Sequence, residues 1–138
     1  MTYPVTSPRE SAARVRVRYA ETDKMGVVYY ANYLVWFEVG RCEWLRATGY
    51  SYQRLETDGT ILPVIRAQCE YRRPVRYDDE IEIRAQATLL SPARVRFDYQ
   101  VVPEGAAEPS AIGWTEHCGV DPTGRPRRLP PALRRLFE

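Results

Sequence analysis

Polar and apolar residues alternate strictly through Arg14-Val15-Arg16-Val17-Arg18-Tyr19, the two-residue period of a half-buried strand. The period then changes. From about residue 30 to residue 48, Leu34, Phe37, Trp44 and Leu45 recur at helical spacing, with Arg41 on the same side and Gly49 as the stop. A short second helix is predicted around residues 52–57, closed by Asp58-Gly59. Four β-rich segments follow, at 61–73, 80–90, 93–102 and 110–120. The second alternates cleanly through Glu80-Ile81-Glu82-Ile83-Arg84-Ala85, and Val95, Phe97, Tyr99 and Val101 give the same period in the third. Turn residues separate them at Tyr77-Asp78-Asp79, Ser91-Pro92 and Pro103-Glu104-Gly105. One long helix beside a consecutive antiparallel meander is an α+β pattern, in which the helix buries against one sheet face. Residues 1–12 read as a loose leader. The chain 1–138 reads as a single domain, with a basic, proline-rich tail over 122–138 whose Leu133, Leu136 and Phe137 dock a short final helix.

The segment between the first strand and the long helix carries the candidate chemistry. It places Asp23 in a short turn three residues before Gly26, just ahead of a helix N-terminus. That arrangement can aim a carboxylate and unpaired backbone N–H groups at one small volume. The carboxylate can act as base or nucleophile, and the N–H groups can polarise a carbonyl. Asp23 can equally be a turn cap, a common use of Asp.

Composition narrows the classes. A length of 138 residues with 44% hydrophobic content suits one domain that buries a core without disulfides. No apolar run approaches the roughly 20 residues of a membrane span, and the N-terminus has no apolar signal core. Cys42, Cys69 and Cys118 are scattered, which predicts reduced thiols and a cytoplasmic protein. No metal site is expected, since the single histidine is His117 and no ligand spacing recurs. Of 20 basic residues only Lys24 is not Arg. Arginine suits phosphate, but no nucleic-acid-binding motif accompanies the bias, so nucleic acid is not the expected partner.

The stretch Glu21-Thr22-Asp23, Gly26-Val27-Val28, Tyr29-Tyr30 and Asn32-Tyr33 resembles the signature of the 4-hydroxybenzoyl-CoA thioesterase family, including its Tol-Pal-associated acyl-CoA thioesterase branch. The likeness continues through FEVGRCEWLR, PVRYDDEIEI and DPTGRPRRLP, nearly the whole chain from Arg14. One departure is Tyr30, where the Tol-Pal-associated branch often carries His. The resemblance implies a hotdog fold, a curved antiparallel sheet wrapped around one long helix. It also implies homodimers joined sheet edge to sheet edge, often paired into homotetramers, with active sites at the dimer interface. The implied activity is hydrolysis of an acyl-CoA to free acid and CoA, with no metal or redox cofactor.

Carried over by motif position, Asp23 is the base or nucleophile, the Tyr30 backbone N–H polarises the thioester carbonyl, and Gly26 shapes the turn or lets the backbone approach. Tyr29 and Tyr33 are expected to line the acyl pocket or the interface, and Asn32 to cap the helix or shape the site. Arg72, Arg73 and Arg76 are the candidates for the CoA phosphates, followed by Arg94 and Arg96. Glu21 can tune Asp23 electrostatically or stand as a solvated turn residue. Glu38, Arg41 and Glu43 read as a helix-surface ion-pair set. His117 lacks any nucleophile elbow around it, which argues against a triad. Two rival functions remain open at this point: an acyl-CoA-binding or scaffold protein without catalysis, and an acyl-carrier-protein thioesterase.

Overall fold

The computed structural model describes residues 3–138. Five strands form one antiparallel sheet: β1 (Val5–Arg16), β2 (Val64–Tyr71), β3 (Glu80–Ser91), β4 (Arg94–Pro103) and β5 (Ala111–Cys118). The order across the sheet is β1-β3-β4-β5-β2. The helix α1 (Asn32–Thr48) lies chiefly against β1 and β3, followed by α2 (Tyr52–Thr57) and the short closing helix α3 (Pro131–Arg134). This is the hotdog fold, a curved sheet around a helix.

The inward face of each strand follows the two-residue period. Ile81, Ile83, Ala85, Ala87 and Leu89 of β3 and Val95, Phe97, Tyr99 and Val101 of β4 are buried. Opposite them α1 offers Tyr33, Trp36, Phe37, Gly40 and Trp44. Phe37 stacks on Tyr99 with ring centroids 4.4 Å apart. At Gly40 the helix meets the sheet so closely that a Cβ would sit 2.7 Å from Ile83 Cγ2. The tail packs as expected: Leu133 and Phe137 are buried, and Phe137 stacks on Trp44.

Three expectations are corrected. The leader is strand from Val5 onward; residues 1 and 2 lie outside the described residues. Its polar run TSPRE hides the strand from any alternation test, yet β3 supplies the ladder, pairing Val5 with Leu89 and Arg16 with Glu80. The register shifts between Thr6 and Glu10, so Pro8 falls where no ladder donor is needed. The meander is also not consecutive. Strands β3, β4 and β5 follow one another, but β2 crosses to pair with β5, with Ala67 opposite Thr115 and Tyr71 opposite Ala111. Finally, Leu34 is not on the buried stripe of α1: it is 42% exposed, with Val35 and Val39 beside it. The helix is apolar around most of its circumference, so spacing alone could not choose its inner face.

Candidate functional site

The chain between β1 and α1 is a small hairpin. After one 3-10 turn (Tyr19–Glu21), Thr22 bridges Val28, and the Asp23 N–H donates to Val27 O at 2.9 Å. The reversal is closed by Gly26, whose N–H donates to Asp23 O at 3.0 Å and whose φ of +78° is left-handed. A Cβ on Gly26 would meet nothing within 4 Å, so the position demands conformational freedom rather than close approach. The hairpin is pinned against the segment following β2 by a Val27–Arg76 bridge and by the Val28 N–H on Val75 O at 2.8 Å.

Asp23 Oδ1 accepts from the N–H groups of Met25 (2.8 Å) and Val27 (3.4 Å). The turn-cap reading is therefore correct for one oxygen. Oδ2 has no protein partner among the described residues, so the cap holds the carboxylate in place and leaves one oxygen available. At the other end of the loop α1 begins at Asn32, with Ala31 as a cap lacking any side-chain bond. The N–H groups of Asn32, Tyr33 and Leu34 turn back to the carbonyls of Tyr29, Tyr30 and Ala31. Among the described residues the Tyr30 N–H has no such acceptor.

Asp23 and Tyr30 share the wall of one open groove of about 350 Å³, with Val27, Val28, Tyr33, Tyr71, Arg72, Arg73 and Pro74. A larger hollow of about 480 Å³ lies away from this chemistry, on the sheet face turned from α1 around Trp114, Gln86 and Gln100. Tyr71 joins the groove to the edge strand: its hydroxyl donates to Tyr30 O at 3.0 Å, and its ring stands edge-on to Tyr33 (5.0 Å) and Tyr30 (6.4 Å). Burial pushes the Tyr71 phenol up to about 12 and raises Tyr33 as well, so both stay neutral hydroxyls. Sequence reading passed over Tyr71. The parity of β2, which puts Tyr71 and Cys69 on the helix-facing side opposite Ala111 and Gly113, was the signal available for it.

The expected residues divide. Asp23, Tyr30, Tyr33, Arg72 and Arg73 come together at the groove, and Tyr29 packs on Tyr30 with centroids 4.6 Å apart. Arg72 is tied to Glu70 at 2.7 Å, whereas the guanidinium groups of Arg73 and Arg76 make no ion pair among the described residues, the Arg76 main-chain N–H alone donating to Asp79 at 2.9 Å. Arg94 is not brought to the groove; it faces outward on β4 and pairs with Glu116 at 3.0 Å. Arg96 sits nearby on that face, against Asp98 and over the Trp114 ring. Asn32 is the first helical residue, not the cap, and its amide donates to Glu21 O at 2.8 Å.

Glu21 is not solvated. It is 5% exposed, and its carboxylate accepts from the Arg18 N–H (2.8 Å) and the Trp36 indole N–H (3.0 Å). The surface ion-pair set is also redrawn: Glu43 pairs with Arg46, while Arg41 turns inward to the hydroxyls of Tyr52 (2.7 Å) and Tyr99 (3.2 Å). From there a polar chain runs through the core. Tyr99 meets Thr115 at 2.6 Å, Thr115 meets His117 Nε2 at 2.8 Å, and His117 Nδ1 meets Leu62 O at 3.0 Å. The Leu62 carbonyl only accepts, so the neutral His117 ring is the Nδ1–H tautomer, and its Nε2 accepts from Thr115, Thr115 from Tyr99 and Tyr99 from Arg41. Burial lowers the His117 pKa to about 4. It serves this core chain and no triad.

The chain is similar to known proteins over most of its length. A family model described as the thioesterase-like superfamily matches residues 17–137. The acyl-CoA thioester hydrolase YbgC of Escherichia coli O6:H1 is 34% identical over 127 residues, covering 90% of this chain and 92% of that protein. A 1,4-dihydroxy-2-naphthoyl-CoA hydrolase of Synechococcus elongatus is 32% identical over 121 residues, 86% of this chain and 88% of its own. The crystal structure of a DHNA-CoA thioesterase from Staphylococcus aureus superposes with a TM-score of 0.87 at 32% identity, covering 93% of this chain and 88% of that one.

Proposed function

We propose, from the premise that this chain belongs to the thioesterase-like superfamily and is a thioester hydrolase like its relatives, that its groove hydrolyses an acyl-CoA with Asp23 as the reacting carboxylate. One observation carries the reading: Asp23 and Tyr30 line one groove just ahead of a helix, and among the described residues one Asp23 oxygen and the Tyr30 N–H are without protein partners. The thioester carbonyl oxygen accepts from the Tyr30 N–H, and the dipole of α1 adds to the polarisation. Asp23 then takes a proton from an attacking water, or attacks the carbonyl itself to give an acyl-aspartyl anhydride that water cleaves. In either route the C–S bond breaks and CoA leaves as a thiolate, protonated by Asp23 in the base route and by water in the anhydride route. Because the polarising group is main chain, the side chain at position 30 is free to be Tyr.

The tyrosine-lined side of the groove suits the acyl group, and Arg72 and Arg73 on its rim, with Arg76 close by, suit the phosphates of CoA. Asn32 serves the site through the Glu21 carbonyl rather than by touching substrate. The open side suits a second copy of the chain. Strand β2 is an edge, and Ile61, Val64 and Ile65 near it and Leu34, Val35 and Val39 on α1 expose apolar surface. Among the described residues no helix is long and apolar enough to cross a membrane. The free thiols of Cys42, Cys69 and Cys118 support a reducing compartment, the cytoplasm.

The test is CoA release from short-, medium- and long-chain and aromatic acyl-CoAs, with Asp23→Asn beside the wild type. Turnover that disappears in the mutant, with fold and CoA affinity kept, is the expected result. Equal turnover in both would overturn the assignment of Asp23. Binding without turnover in the wild type would favour the non-catalytic acyl-CoA binder.

A further inference from the structure

Glu21 is a buried carboxylate that the proposed chemistry leaves unused. It does not line the groove, so it cannot act on substrate. Removing a carboxylate from water is costly unless its oxygens are satisfied. Here both are: Oε1 accepts from the Arg18 N–H at 2.8 Å with the Arg18 guanidinium 3.5 Å away, and Oε2 accepts from the Trp36 indole at 3.0 Å. The main chain of the same residue is equally committed. Its carbonyl accepts from the Tyr29 N–H (2.9 Å) and from the Asn32 amide (2.8 Å). Tyr29 and Asn32 flank Tyr30, and Asp23 lies two residues beyond Glu21. One residue therefore ties the end of the first strand segment, the Asp23 hairpin, the Tyr30 peptide and the second turn of α1.

We infer that Glu21 is the positioning residue of this site, holding the Asp23 carboxylate and the Tyr30 N–H at their working separation through the Trp36 and Arg18 bonds. The inference rests on the proposed roles of Asp23 and Tyr30. It also explains the residue type. Both donors point at the side-chain oxygens, and a carboxylate accepts at both. Glutamine has the same shape but only one oxygen, so its NH2 must face either the Arg18 N–H or the Trp36 indole N–H, donor against donor. The mismatch strains the link between hairpin and helix, and small displacements of reacting groups are expensive in rate.

The experiment compares wild type, Glu21→Gln, Trp36→Phe and Glu21→Gln/Trp36→Phe on the best acyl-CoA, with Asp23→Asn as reference and circular dichroism confirming that each is folded. Glu21→Gln is expected to lower kcat by roughly ten- to a hundredfold, with KM within about twofold. Trp36→Phe removes the opposing donor, so the double variant should recover part of the lost kcat, a rescue that general destabilisation does not produce. The acidic limb of the kcat–pH profile should stay where it is. Wild-type kcat in Glu21→Gln, a double variant worse than the sum of its parts, or a displaced acidic limb would each overturn positioning. If Glu21→Gln does not fold, Glu21→Asp, which keeps two acceptors on a shorter arm, takes its place with the same expected kcat loss. Turnover in Asp23→Asn would defeat the underlying reading instead, whatever Glu21 does.

Discussion

Gly26→Ala separates backbone strain from crowding. The φ of +78° strains any L side chain, while the open space around the Cβ removes steric clash. The expected cost is about 1 kcal/mol in chemical denaturation, with a fall in kcat because the turn that aims Asp23 relaxes. The turn that carries Asp23 and Gly26 was legible because its spacing is local and it is decided within five residues. Glu21 was misread for the opposite reason. In sequence it is an acid in a polar turn, and its burial is set by Trp36, fifteen residues away on a helix whose facing the sequence did not fix. Arg41 was likewise placed by its neighbours in the chain, whereas its partners Tyr52 and Tyr99 come from α2 and β4.

Among the elements, β3 and β4 were readable nearly to the residue because each has one buried and one exposed face. Strand β2 was readable as a strand but not in its place. It has no continuously buried face to mark it, and the crossing to β5 is decided by ladder partners that local pattern does not encode. The α1–β3 crossing gives a direct check. Replacing Gly40 by Val forces atoms into Ile83, and an overpacking loss of roughly 1–3 kcal/mol is expected in urea unfolding. Pairing it with Ile83→Ala should return part of that loss.

For the molecule as a whole, the core chain ending at His117 makes stability depend on pH. The folded pKa, about 4, lies below the ordinary 6.5, so between these values the unfolded chain binds the extra proton. The stabilising contribution of neutral His117 is full above pH 6.5, falls as pH drops towards 4, and changes no further below that. Over the window the loss is roughly 3 kcal/mol. Denaturant midpoints measured from pH 7 to 4 should show this slope, and His117→Gln should flatten it. The exposed edge and helix face predict a second global property: light scattering should give a dimer or larger assembly, and charges at Val64 and Ile65 should shift it towards monomer. A monomer at micromolar concentration would count against the second copy.

The bond from the Tyr71 hydroxyl to the Tyr30 carbonyl gives that assembly a bearing on rate. Tyr71 ends the open edge strand and holds the carbonyl of Tyr30, the residue whose N–H is proposed to hold the thioester oxygen. Whatever steadies the edge steadies the main chain of Tyr30, so a second copy seated on that edge would couple association to turnover. Specific activity then becomes a function of enzyme dose. Dilution should silence molecules that are still folded, and a progress curve begun from a dilute stock should start with a lag.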